Sequence, residues 1–456
     1  MRKLANILAV IVTILAFGVE KSVGETTEMI ALPTKPNIVI FISDDQGVDD
    51  LGSYGNEFAI TPVLDKLAEE GMTFTNAFAT SSVCTPSRAA IYTGLDAFRN
   101  GCNQNHAASR SDVKSLPHYL APLGYDVVLA GKGNVKPVSA FPFKYIKREE
   151  ISDYLSQAGD KPFCLLINYN GPHEPFFNKK SGIDPEQEVT KPWLPDTPET
   201  RKVLAAYYDN VNNIDSEIGS HMYWLQKYGF AEDAVQIFFS DHGAGIPYAK
   251  HTLYNAGLQV PFIIKWKGVV KPGTKNHAMV SLLDITPTIL DMAGGKMVKG
   301  LDGRSFLDVI SGKAVSHREN VCVQYTNLGV KGASEYPIRT IRTNKYQLIV
   351  NLNSDNIFRA SAYNDADERE IVDTKDMLDS WERAGKEDAF AANRYSGFWK
   401  RPRIELYDME KDPHQLKNIF DDADNKNVAN QMYGELKTWM KQQNDPLLNL
   451  MNNNFN

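Results

Sequence analysis

The chain has no excess of positive charge, few cysteines and, past its first residues, no long apolar run. Its net charge of −7 argues against a general nucleic-acid binder, and an anionic ligand would need a local basic pocket rather than a basic surface. Only Cys84, Cys102, Cys164 and Cys322 are present. That is too few for a disulfide-stapled scaffold, even in an exported protein. Beyond the N-terminus no stretch is long and apolar enough to cross a bilayer. There is no internal repeat, and the one biased tract is the Asn-rich tail from Asn452.

What is present begins with an export pattern. Arg2 and Lys3 precede a nearly unbroken apolar run, Leu4 to Phe17, followed by the small and polar residues Ser22, Val23 and Gly24. That run is short for a membrane span and matches a signal peptide over residues 1–24. The expectation is a periplasmic or secreted protein with no membrane span after cleavage. At 456 residues, 43% of them hydrophobic, the chain can hold one large domain and a smaller one.

From Pro36 to about Trp266, short Val/Ile/Leu/Phe blocks alternate with helical segments. The blocks are Asn37–Ser43, Asp126–Ala130, Phe163–Asn168, Val235–Ser240 and Val260–Trp266. Such blocks predict strands of a mostly parallel sheet covered by helices on both faces, an α/β fold. Thr61-Pro62 opens a helix that stops at Gly71, and Thr197-Pro198 opens a long one toward Lys227. A further helix is expected over Val280–Ala293. Beyond about Ser334 the texture changes. Ile338–Thr343 and Gln347–Leu352 predict an antiparallel hairpin, and polar helices are expected around Glu368–Lys386 and Asn427–Gln443. The expected division is a catalytic α/β domain, 35–333, and a smaller α+β subdomain, 334–456.

Each of four strand blocks is followed by a polar cluster. These are Asp44-Asp45, Gly131-Lys132-Gly133-Asn134, Gly171-Pro172-His173 and Asp241-His242-Gly243. In open α/β sheets ligands bind beyond the carboxyl ends of the strands, so the four clusters are expected to converge. Adjacent carboxylates repel unless a cation lies between them. Asp44, Asp45 and Asp241 suit a hard cation, while the imidazole of His242 is less typical of calcium than an amide oxygen. His173 is the best general-acid candidate, because imidazole titrates near neutrality. The histidines His118, His221, His277, His317 and His414 are expected to be structural.

The most specific segment is Cys84-Thr85-Pro86-Ser87-Arg88, continued to Thr93-Gly94. It lacks the spacing of a metal knuckle or a redox thiol pair, and it resembles the maturation signature of type I sulfatases. The likeness extends through Asp44-Asp45, Asp241-His242-Gly243, Lys250 with Thr252, Tyr254 and Gly257, and Glu405-Leu406-Tyr407-Asp408. Asn100-Gly101, Ser115-Leu116-Pro117 and Gly131-Lys132 bring it nearest the sulfamidase-like branch of carbohydrate sulfatases.

The resemblance implies an alkaline-phosphatase-like fold. It implies that Cys84 is oxidised to formylglycine by a formylglycine-generating or anaerobic sulfatase-maturing enzyme. It implies one calcium ion on Asp44, Asp45, Cys84, Asp241 and His242, with Arg88, Lys132, Lys250 and His173 completing the catalytic set. A sulfated oligo- or polysaccharide is the implied substrate, with His106, Asn134 and His251 as residues that could touch it. Asn134 stands where the family usually has a His, and an amide cannot act as a base near neutral pH. That departure, together with relatives that act on phosphonate or phosphodiester bonds, keeps two alternatives open: such a hydrolase, or an impaired protein that binds sulfated glycans.

Overall fold

The computed structural model describes residues 35–177, 183–187, 190–330, 332–359, 371–372 and 374–451. The expected signal peptide, 1–24, lies outside the described residues, as do the first residues of the helical stretch expected from Glu368.

Among the described residues the main sheet has nine strands. Its central strand, Ile38–Asp44, is buried along its whole length. It pairs in parallel with Phe163–Pro172 on one side and Val235–Ser240 on the other. Strand alternation sends successive side chains to opposite faces. Val39 and Phe41 join Leu165, Ile167 and Phe238 in a core closed by the helix residues Leu64, Ile214 and Ile218. Ile38, Ile40 and Ile42, fully buried as well, face the other side. Each such side chain contributes roughly 1.5–3 kcal/mol through burial, which is why blocks with no polar alternation form the sheet interior. Asp126–Gly131 and Lys144–Ile146 extend the parallel part. Gln259–Lys265 runs antiparallel to both of its neighbours. One of those neighbours is Met72–Phe78, a strand the apolar-block reading passes over because Thr73, Thr75 and Asn76 interrupt it.

The long helix spans Pro198–Lys227. The Thr197 side chain accepts from Thr200 N at 3.1 Å, an N-cap bond. Its apolar stripe, including Val203, Val211, Ile214 and Ile218, turns inward at helical spacing. The helix Pro62–Glu70 starts where Thr61-Pro62 predicts, but Thr61 makes no cap bond. The cap comes from Asp215 on the long helix, which accepts from Val63 N at 3.0 Å and Leu64 N at 2.9 Å. The helix expected over Val280–Ala293 is shorter: Val280–Ser281 joins the main sheet, a single 3₁₀ turn follows, and the α-helix is Ile285–Met292. The capping box at Ser281 and Asp284 sets that boundary.

A second sheet of four antiparallel strands runs Asn320–Tyr325, Ile338–Thr343, Tyr346–Asn351 and Ile404–Asp408. Its first strand lies upstream of the texture change at Ser334. The helix Lys426–Gln442 packs on it through Ala429, Met432, Leu436 and Met440. Among the described residues no helix is long and apolar enough to cross a membrane.

Candidate active site

The carboxyl ends of the parallel strands carry the site. Asp44 closes the central strand, and Asp45 follows it with a left-handed backbone at φ 68°. That reversal puts neighbouring carboxylates at one centre, where an extended backbone would send them to opposite faces. Asp45 N donates to Asp241 Oδ1 at 3.3 Å and Gln46 N to Ser240 Oγ at 2.9 Å, so the ends of two adjacent strands are tied together. Gly245 packs against this carboxylate: a Cβ there would stand 2.9 Å from Asp45 Oδ2.

Cys84 opens the helix Cys84–Thr93, every residue of which is buried. Gly94, at φ 67°, ends it by donating to Ala90 O at 2.8 Å. Cys84 therefore sits at the positive end of the helix dipole, a place that favours anions. Its Sγ lies 3.2 Å from Asp44 Oδ1, 3.4 Å from His242 Nε2 and 3.8 Å from Lys132 Nζ. Burial and the Asp44 carboxylate push the thiol well above its ordinary pKa, so unmodified Cys84 is a protonated thiol and a poor nucleophile.

Arg88 lies one turn along. Its Nε donates to Asp241 Oδ2 at 2.9 Å, and one terminal nitrogen stands 4.0 Å from Asp44 Oδ1. Ser87 Oγ donates to the Asp241 carbonyl at 2.6 Å. Lys132 forms an ion pair with Asp44 Oδ2, and its carbonyl accepts from Asn168 Nδ2 at 2.7 Å. Lys250 Nζ donates to Asp45 Oδ2 at 2.6 Å. Burial alone would raise the Asp44 pKa, but Arg88 and Lys132 hold it far below the carboxylate range. His173 Nε2 lies 3.8 Å from Asp45 Oδ2. Its Nδ1 is 2.6 Å from the Glu174 carbonyl, which assigns the proton to Nδ1 and turns Nε2 toward the site.

One ligand atom each from Asp44, Cys84, Asp241 and His242 falls within 4.8 Å of the others. His242 Nδ1 lies 3.0 Å from the Gly243 carbonyl, so its Nε2 turns a lone pair to the cluster. Asp45 Oδ1 is buried without a hydrogen-bond partner, 3.2 Å from that Nε2. Both terminal nitrogens of Arg88 also lack a hydrogen-bond acceptor. An orphaned carboxylate oxygen beside orphaned guanidinium donors fits a centre built to hold a cation and an anion together.

The structure thus brings together Asp44, Asp45, Cys84, Arg88, Lys132, His173, Asp241, His242 and Lys250. His106 is exposed, with its ring against Asn105. Asn134 is half-buried at φ 52°, and no hydrogen bond of the described residues joins it to the cluster. His251 is buried, and its Nδ1 lies 2.8 Å from Tyr325 Oη, whose proton goes to Asn327 Oδ1 at 2.7 Å. Burial and Lys250 push its pKa well below the ordinary value, so it is neutral and anchored to the second sheet. The sequence offers no local signal for Tyr325, which lies 74 residues further along the chain.

Fold and site together give an α/β protein whose buried centre gathers carboxylates, cationic side chains, an imidazole and a thiol at the strand ends. The Sulfatase family model matches residues 36–149 and 146–295, and the model for the C-terminal part of N-sulphoglucosamine sulphohydrolase matches 242–380. A curated relative, an ulvan-active sulfatase of Formosa agariphila, is 33% identical over 91% of this chain and 82% of its own length. Human N-sulphoglucosamine sulphohydrolase is 28% identical over 90% of this chain and 91% of its own length. A solved structure in complex with its substrate D-glucosamine-2-N,6-O-disulfate superposes with a TM-score of 0.68 at 19% identity, covering 90% of this chain and 99% of that one. The chain belongs to the sulfatase family. It is a sulfuric ester hydrolase, consistent with the sulfamidase-like branch, and its neighbours share the alkaline-phosphatase-like fold.

Proposed function

We propose that this protein hydrolyses sulfate esters or N-sulfates on a sulfated oligo- or polysaccharide, depends on calcium, and uses an aldehyde hydrate made from Cys84 as its nucleophile. The observation that carries this reading is the position of Cys84 Sγ, within 3.8 Å of Asp44, His242 and Lys132 at a helix N-terminus. A protonated thiol there has little reactivity of its own. Conversion to formylglycine, by a formylglycine-generating or anaerobic maturing enzyme, supplies a hydrate: one hydroxyl attacks sulfur, and the second regenerates the aldehyde as sulfate leaves.

The other residues follow from charge and reach. Arg88 directs its two unpaired terminal nitrogens, and Lys132 and Lys250 their ammonium groups, to the charge on the transferring sulfuryl group. His173 gives a proton to the departing sugar oxygen or nitrogen. Asp44, Asp45, Asp241 and His242, with the group at position 84, would hold calcium, which would supply positive charge to the transferring sulfuryl group. The names of the ulvan-active and N-sulphoglucosamine relatives favour a saccharide. Residues 35–333 carry the chemistry in this reading and 334–456 form the smaller subdomain. The apolar run Leu4–Phe17 supports export to the periplasm or the exterior.

The test is free sulfate released from a panel of O- and N-sulfated glycosaminoglycan and algal saccharides, with aryl phosphate and phosphonate esters alongside. The protein would be co-produced with a maturing enzyme, and formylglycine at position 84 checked by peptide mass. Release from a saccharide, reduced about 10⁴-fold or more in Cys84→Ala, is expected. Undiminished release in that variant, or turnover of phosphonates alone, would overturn the reading.

A further inference from the structure

Behind the paired aspartates lies a second charged group that the proposed chemistry does not use. Lys191 is 3% exposed, although lysine is almost never buried unless paired. Its Nζ lies 2.9 Å from Asp49 Oδ2 and 2.7 Å from Asp50 Oδ1. It also stands 5.0 Å from the centre of the Trp193 ring and 5.6 Å from that of Tyr208. Asp50, fully buried, accepts from Gly47 N at 2.7 Å through Oδ2. The Tyr207 hydroxyl shares its one proton between that oxygen, at 2.5 Å, and the Asp45 carbonyl, at 3.1 Å. Gly47 leaves no room for a side chain, since a Cβ would stand 2.7 Å from Asp50 Oδ2.

Three elements distant in sequence therefore meet on the bend that follows Asp45: the bend itself, the long helix through Tyr207, and the segment before that helix through Lys191. Asp45 holds a left-handed backbone there, a conformation that costs a non-glycine residue free energy and persists only where its surroundings impose it. From this geometry we propose that Lys191, Asp50 and Tyr207 form a positioning clamp that holds Asp45 beside Asp44 and so sets the affinity of the site for its divalent cation. The proposal rests on the reading of Asp44 and Asp45 as cation ligands. Without the ammonium, Asp50 is a buried unpaired carboxylate. It then takes up a proton or draws in water, and in either case ceases to be a firm acceptor for Gly47 and Tyr207. Groups that orient metal ligands from behind typically change metal affinity or activity 10- to 100-fold when removed.

The experiment is calorimetric binding of Ca²⁺ alone to the matured full chain and to Lys191→Met, Tyr207→Phe and Asp45→Asn, each measured well below its melting temperature. Tyr207→Phe removes the link to Asp45 but keeps the buried ring, so it decides the matter if Lys191→Met does not fold. Cation affinity lowered about 10-fold or more in the folded Lys191 and Tyr207 variants supports the clamp. Unchanged affinity in those variants, with affinity lost in Asp45→Asn, overturns the clamp and leaves the cation site standing. Unchanged affinity in Asp45→Asn as well overturns the cation reading, and the clamp with it.

Discussion

Arg88 Nε donates to Asp241 Oδ2 at 2.9 Å, with both side chains sealed from solvent. The pair joins the helix Cys84–Thr93 to the end of the strand Val235–Ser240, and breaking it strands a charge. Arg88→Met should cost about 3–5 kcal/mol, the usual loss when one partner of a buried ion pair is removed. It should appear as a lowered urea midpoint. Adding Asp241→Asn should recover part of that stability without restoring sulfate release. An unchanged midpoint in the single variant would contradict the pairing.

His173 Nε2 stands 3.8 Å from Asp45 Oδ2, at the rim of the charged cluster. A general acid matters most when the leaving group is poor. His173→Gln should therefore slow release from a sugar sulfate by about 10²–10⁴-fold and slow an activated aryl sulfate far less. Equal losses on the two substrates would argue that His173 serves binding or structure instead.

Chelation should act on stability as well as on turnover. The orphaned Asp45 Oδ1 and its neighbouring carboxylates repel one another without a cation. Calcium at about 100 times its dissociation constant adds roughly 2.7 kcal/mol by mass action, and its removal should lower the melting temperature by a few degrees. Re-addition should restore both melting temperature and sulfate release.

Two carboxylates away from the site should move stability with pH in opposite directions. Burial pushes Asp96 up to about 7, against an ordinary 3.8. Its contribution is fully present below about pH 4 and is lost as pH rises to about 7. Asp96→Asn keeps an acceptor for Phe98 N and should therefore stabilise the protein at pH 8 but not at pH 4. Burial would raise Asp284 too, but Arg318 and His317 outweigh it and hold that group at about 2. Its contribution of about 2 kcal/mol is present above about pH 4 and lost as pH falls through 2. Asp284→Asn should remove that acid-side dependence and lower stability at neutral pH. Urea midpoints from about pH 1.5 to about pH 8 check both.

The residues expected to be structural histidines show what sequence spacing alone cannot decide. His317 binds Asp284 at 3.0 Å, His221 lies 3.0 Å from Tyr169 Oη, and His118 completes a capping box at Ser115. In the chain, only the strand end directly before His173 separates it from them. Their partners were set by the tertiary structure.

The sequence by itself determined the central strands of the main sheet, though not Met72–Phe78, because runs such as Ile38–Ile42 and Val235–Phe239 are apolar on both faces and can only be buried on both sides. It determined the long helix to the residue, through Thr197-Pro198 at its start. It also determined that polar clusters stand at the ends of those strands, and a short segment around Cys84 was specific enough to point to the chemistry. Tertiary structure alone decided which distant partners these groups take. Lys250 reaches Asp45 across 205 residues, Tyr207 braces the same bend across 162, and Asp215 rather than Thr61 caps the helix Pro62–Glu70. The reason is physical. A strand or helix is written in a local period of apolar residues, but a buried charge is stable only beside its counter-charge, and where that partner lies along the chain depends on how the sheet is threaded.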